Sequence, residues 1–112
     1  MAKIVITKKL EKEIHKIFKK ESILIFQLML NLENNPKKGK LIGTIGSIVI
    51  KEIKYQKYRL YFITDGYKVK FLKTNELNDL IIKFVRMSDK NNQQKVIEEI
   101  KEVLKKLGKE GF

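Results

Sequence analysis

The chain has 112 residues, 25 of them lysine or arginine and 13 aspartate or glutamate, for a formal charge of +12. That length suits one domain, 1–112, around one core, and 43% hydrophobic residues suit a folded protein rather than a disordered tail. The absence of cysteine, with His15 the only histidine, excludes disulfides, thiolate zinc sites, cysteine nucleophiles and multi-histidine metal centres; no metal or other cofactor is expected.

The opening stretch, MAKIVITKKL, lacks the long apolar core of a signal peptide. The most apolar run, ILIFQLMLNL, is too short to span a bilayer and contains Gln27 and Asn31. A soluble, cytoplasmic protein with no membrane partner is expected. The charge favours a polyanion or an acidic protein as partner. Arg59 and Arg86 are the two arginines, however, and the rest of the basic residues are lysine. Lysine with abundant Ile and Glu also follows from genome composition or growth at high temperature. Charge alone therefore leaves nucleic-acid binding and a plain solvated lysine surface equally open.

KIVIT, from Lys3 to Thr7, reads as a short strand that belongs on a sheet edge. Thr7 can cap a helix to about Lys20, in which Leu10, Ile14, Ile17 and Phe18 recur at helical spacing and His15 lies off the stripe. Ser22 can cap a second helix through Leu32, ending before Asn34-Asn35-Pro36, so that the two form an antiparallel hairpin. Pro36 to Gly46 reads as loop, and a strand follows from about Ser47 to Tyr55.

The segment KYRLYFITDGYKVK then reads as a β-hairpin about Asp65-Gly66, a strong two-residue turn signal. Alternation puts Leu60, Phe62, Val69 and Phe71 on one face, wholly apolar, which must meet the helical hairpin. The opposite face carries Arg59, Tyr61, Ile63, Lys68 and Lys70, a basic platform with an aromatic ring. If Gln56-Lys57 is the preceding turn, Lys54 lies opposite Arg59. Like charges there are unfavourable. An anion between them, splaying into water, or neutralisation by Glu52 would each relieve the clash.

Lys73 to Asn78 reads as a polar connection and Asp79 to Arg86 as the last strand. Asn91 or Asn92 can cap a final helix with an apolar stripe of Val96, Ile97, Ile100, Val103, Leu104 and Leu107, and GKEGF reads as a frayed end. Such a stripe serves either as core against the sheet or as one wall of a groove for a partner. The order is β-α-α-β-β-β-β-α: an α+β domain with a twisted antiparallel sheet on an amino-terminal helical hairpin and a carboxy-terminal helix.

In that order, NPKKGKLIG after the helical hairpin, KYRLYFITDG, and LIIKFVRMSDK running into NNQQKVIEEIKEVL resemble the RelE/ParE toxin superfamily, most closely its RelE-like and HigB-like branch. The resemblance implies a RelE-like fold and the toxin of a type II toxin-antitoxin system. Such a toxin inhibits translation as an mRNA interferase, a metal-independent endoribonuclease that cuts mRNA on the ribosome, and is silenced by a cognate protein antitoxin. It also implies clustered cations as the site. The family's strand arginine falls on Arg59, its basic position at the end of the last strand on Arg86 or Lys90, and its lysine on the preceding strand on Lys54, with Lys51 second. The tyrosine that some members carry near the last helix has no counterpart here.

RNA cleavage without metal needs a base for the 2′-hydroxyl, positive charge on the developing phosphorane and an acid for the leaving oxygen. Lys54, Arg59 and Arg86 are the catalytic candidates: Lys54 as base, and the arginines as bidentate phosphate clamps. Lys51, Tyr61, Lys68, Lys70 and Lys90 are the RNA-binding candidates, Tyr61 by stacking or by plain packing on Lys70. Asp89 and Lys90 are candidate acids or positioning groups. Other readings are a ParE-like DNA gyrase inhibitor and a non-catalytic RelE-fold binding protein, because fold alone does not choose among activities.

Overall fold

The structure, a computed structural model, describes residues 1–107. The expected frayed end at 108–112 lies outside the described residues. Strand β1 (Lys3–Ile6) leads into helices α1 (Lys8–Phe18) and α2 (Ser22–Leu30). Then come β2 (Lys40–Ile45), β3 (Ile48–Tyr55), β4 (Tyr58–Asp65), a short helix α3 (Gly66–Phe71), β5 (Ile81–Asp89) and α4 (Gln93–Leu107). The sheet order is β1-β5-β4-β3-β2. The result is α+β, with the helical hairpin at the start and a helix at the end, consistent with RelE-like topology.

Thr7 caps α1 as expected, its extended backbone letting the side-chain oxygen accept from the Leu10 amide at 3.3 Å. Leu10 and Ile14 are buried, and Phe18 packs at the edge of the same core. Ser22 departs from expectation. It is the first residue of α2, not its cap, and its buried hydroxyl donates to the Ile14 carbonyl at 3.2 Å. That bond ties the second helix to the first.

Strand β1 lies on an edge, as expected, but pairs with β5 in parallel, so the sheet is mixed and not wholly antiparallel. The span read as loop, Pro36 to Gly46, contains β2, which pairs antiparallel with β3 across the Gly46-Ser47 turn. Its glycines masked a strand that has only one neighbour. The Gln56-Lys57 turn is present, with Gln56 at φ 52, and it sets Lys54 directly opposite Arg59.

The Asp65-Gly66 hairpin is not. Asp65 is a helix N-cap, its carboxylate accepting from the Lys68 amide at 3.1 Å. Gly66 donates its amide to the Ser47 carbonyl at 2.8 Å, and a Cβ at Gly66 would lie 2.7 Å from a Val49 methyl. The glycine thus allows a close approach to β3, where a β-turn had been expected. Residues 66–71 leave the sheet as α3. Val69 still packs against the core below the helical hairpin, but Phe71 is 61% exposed, so the expected pairing of 60–64 with 67–71 is wrong.

The partners of β4 are instead β3 and β5. On one face Leu60 and Phe62 join Ile53, Ile82, Phe84 and Met87 beneath α1 and α2. On the other, Tyr61 and Ile63 join Ile50 beneath Val96, Ile97, Ile100 and Leu104 of α4. The face expected to be an open basic platform is therefore in large part a second core. A register shift after Tyr61 leaves Val85 as the extra residue, so Tyr61 pairs with Arg86 and Phe62 with Phe84. Strand β5 also runs further than expected, to Asp89.

Candidate functional site

Directly paired residues on adjacent strands point to the same face. The pairs Lys54↔Arg59, Arg59↔Ser88, Glu52↔Tyr61 and Tyr61↔Arg86 therefore put Lys54, Arg59 and Arg86 together on the α4 side. They occupy three neighbouring strands, with Arg86 two residue pairs along the sheet from Lys54 and Arg59. The three catalytic candidates are brought together, around Tyr61.

Their environments differ. Lys54 is exposed. The Arg59 side chain is only 12% exposed and lies against Glu52, with Nε 3.7 Å from an Oε2 that is itself buried. Neither of those two atoms has a hydrogen-bond partner, so the contact is an ion pair without a hydrogen bond. Arg59 also donates from Nη1 to the Lys57 carbonyl at 3.1 Å, which draws its head towards the β3–β4 turn. The Lys54/Arg59 clash is relieved in two of the expected ways: Glu52 neutralises Arg59, and Lys54 reaches water. Arg86 donates to Glu99 of α4 at 3.1 Å, with both side chains about two-fifths exposed. An ion pair so open to water adds little to stability, so Arg86 can exchange Glu99 for another anion at small cost.

Tyr61 does not offer a ring to a substrate. It is fully buried, and its hydroxyl shares a 2.8 Å hydrogen bond with Ser88. Burial raises its phenol above the usual tyrosine range. Glu52 adds to the rise, while the Ser88 hydrogen bond and Arg59 oppose it. Its packing partner is not Lys70, which lies elsewhere. The RNA-binding role expected for Tyr61 is thus replaced by a structural one: the buried middle of the cation cluster.

Three other expected RNA-binding residues lie away from this face. Lys51 points to the opposite side, opposite Phe62, and its Nζ donates to the Lys37 carbonyl at 2.8 Å. Burial lowers its pKa from the ordinary lysine value. Lys68 and Lys70 are exposed on α3, beyond the far end of β4 from Arg59. Six residues of strand separate Arg59 from Asp65, about 20 Å. Lys90 is exposed immediately after β5, on the Ser88 side of the cluster. The Asp89 carboxylate accepts from the Asn92 amide at 2.9 Å and so holds the turn into α4.

Sequence reasoning missed Ser88 and Glu99, because nothing local shows which strand faces α4 or how far along. Two hollows border the cluster. One, of about 230 Å³, runs between β5 and α4, with Ile63, Val85, Val103 and Leu107 in its apolar lining and Lys83, Arg86 and Glu99 at its polar positions. The other, of about 280 Å³, is more polar and includes Tyr58, Ser88, Asp89 and Asn92. The apolar stripe of α4 is split accordingly: Val96, Ile97, Ile100 and Leu104 are core, while Val103 and Leu107 are exposed. No described helix is long and apolar enough to cross a membrane. Compared with protein-family models, curated proteins and solved structures, the chain has no match.

Two outcomes follow from the buried charges. Glu52→Gln leaves Arg59 without its counterion and should cost about 3 kcal/mol in urea unfolding, most of which the double variant Glu52→Leu/Arg59→Met should recover. A double variant no more stable than the single one would mean that the pair is not the source of the loss. Tyr61 holds its proton in the folded state past the pH at which the unfolded chain releases it. Its stabilising contribution is present below about pH 10 and is lost as pH rises through the folded value. Tyr61→Phe should therefore show a shallower loss of stability above pH 10 than the parent; parallel alkaline curves would contradict this.

Proposed function

We infer that the protein is a RelE-like toxin that inhibits translation by metal-independent cleavage of mRNA on the ribosome. The observation that carries this reading is the gathering of Lys54, Arg59 and Arg86 on one face of three adjacent strands. In cleavage, the 2′-oxygen attacks the adjacent phosphorus and loses its proton to a base, and the bond to the 5′-oxygen breaks as that oxygen gains a proton. Lys54, exposed beside Arg59, suits the base. Arg86 suits the phosphate oxygens, since its fork can leave Glu99 and match them with two hydrogen bonds. Arg59 sits deeper, and Glu52 holds it in place as a fixed charge beneath the phosphate. Lys90 and Asp89 are the acid candidates on that side.

One observation favours a non-catalytic RNA- or protein-binding relative instead. Both arginines are already paired with carboxylates, which lowers the net positive charge available to a phosphorane. Ribosome-dependent cleavage of a short message separates the two readings. Lys54→Ala should reduce it about a hundredfold, the usual loss for one transition-state contact. Arg59→Ala is best made together with Glu52→Gln, so that no buried carboxylate is left uncompensated, and should reduce it as strongly. Arg59→Lys should also be poor, because a point charge does not replace the fork. Circular dichroism controls for folding. A wild-type chain that leaves the message intact on ribosomes from its own source would move the reading to the binding protein.

The partner in this reading is an acidic antitoxin encoded beside the gene. The groove between β5 and α4 suits one of its segments, with exposed Val103 and Leu107 as anchors and Lys83 and Arg86 as cationic contacts. The charge of +12 would speed its capture. Val103→Glu/Leu107→Glu, altering two exposed side chains, should abolish co-purification with that neighbour's product and leave the fold intact. Undiminished capture would place the partner elsewhere.

A further inference from the structure

The lysines expected on the basic platform lie instead on α3, and there they have aromatic company. Tyr67 and Phe71 are 64% and 61% exposed, with ring centroids 4.9 Å apart. The Lys70 ammonium sits 5.3 Å from the Phe71 ring centroid. Lys68 and Lys73 are exposed within two residues of these rings, and no acidic residue interrupts the run from Gly66 to Lys73. The carboxylates that bracket the run are turned onto its backbone. Asp65 accepts from the Lys68 amide at 3.1 Å and Glu76 from the Lys73 amide at 2.9 Å.

An i,i+4 aromatic pair steadies a short helix by a few tenths of a kcal/mol. That gain does not require two large rings to stand mostly in water, when Val69 of the same helix already anchors it to the core. Rings that stand mostly in water, set among flexible cations, match bases that stack and phosphates that follow them. A protein partner with an apolar surface would have no use for the cations, and an acidic one would have little use for planar rings.

We propose that α3 is a stacking platform for single-stranded nucleic acid, formed by Tyr67 and Phe71 with Lys68, Lys70 and Lys73 as phosphate contacts. It lies at the opposite end of β4 from Arg59. The platform binds whether or not the cation cluster cleaves, so it does not rest on the catalytic reading.

The test is fluorescence anisotropy of a labelled short oligoadenylate with the full chain, over a range of salt. Tyr67→Leu/Phe71→Leu keeps the apolar bulk and removes the ring faces. It should weaken binding about tenfold or more and leave the dependence on salt unchanged. Lys68→Gln/Lys70→Gln/Lys73→Gln should flatten the slope of log affinity against log salt by about 2, at roughly 0.7 per contact on a single strand. Tyr67→Phe should bind like the parent, because it keeps the ring face. Unchanged affinity in the leucine variant would overturn the proposal, since it would mean that bulk or charge alone suffices. Equal affinity of the parent chain for a duplex, whose base faces are closed, would overturn it as well. Unchanged binding in the leucine variant, with ribosome-dependent cleavage by the parent intact, would remove only the platform and leave the catalytic reading standing.

Discussion

Strand β4 is covered on both faces, and most of the molecule follows from that. Phe62 and Tyr61 are neighbours in the chain, point in opposite directions, and are both fully buried. A strand of this kind needs two separate covers. The helical hairpin supplies one, over Leu60 and Phe62, and α4 supplies the other, over Tyr61 and Ile63. Because β4 must also be paired on both edges, β3 and β5 have to flank it, which leaves β1 and β2 at the rims. The loop that follows the hairpin also closes on this face, at Gly39. That glycine has φ 111, and a Cβ there would lie 2.8 Å from the Phe62 ring.

Covering the second face of β4 sets the electrostatics of the cation cluster. The Arg59 side chain is too deep to be solvated freely, and a buried guanidinium without an anion would be strongly destabilising. Glu52, two residues before Lys54 on β3, fulfils that need from within the sheet. Arg86 is more open to water, and its counterion comes from α4 itself. The helix that completes the core thus also determines how much positive charge faces the solvent. Lys54, which is exposed and has no counterion among the described residues, is the most accessible of the three.

The two ends of β4 present different chemistry. At the Arg59 end, cations converge from three strands with little aromatic surface exposed. At the Asp65 end, where the chain leaves the sheet, rings and lysines share one short helix. The first arrangement is suited to holding a phosphate firmly, the second to holding a flexible strand loosely. A cap made by one aspartate separates them, because it turns residues that could have extended the sheet into a helix outside it.

From local pattern alone, the chain determined its helical hairpin, the Thr7 cap, the alternation of Leu60 and Phe62, and the turn that sets Lys54 opposite Arg59. Each rests on a short-range period or on one capping hydroxyl, which are properties of neighbouring residues. It also determined that Arg59 and Arg86 lie on strands, with Glu52 among the ways to neutralise Arg59. What followed Asp65 was not determined locally. An aspartate before a glycine serves equally as a hairpin turn and as a helix cap, and the choice depends on contacts of Gly66 with Ser47 in the β2–β3 turn and Val49 on β3. The strand in Lys40–Ile45 likewise exists through its pairing with β3, since Gly43 within it and the glycines at either end weaken any local preference. Only the tertiary structure decided that α4 crosses the face bearing Tyr61. That one placement converted an apparent platform into a core, gave Arg86 its partner, and left the exposed aromatic and lysine surface to α3. Side-chain alternation says which residues share a face; it does not say what will cover that face, because the cover comes from a helix distant in sequence and is held by apolar burial that has no direction of its own.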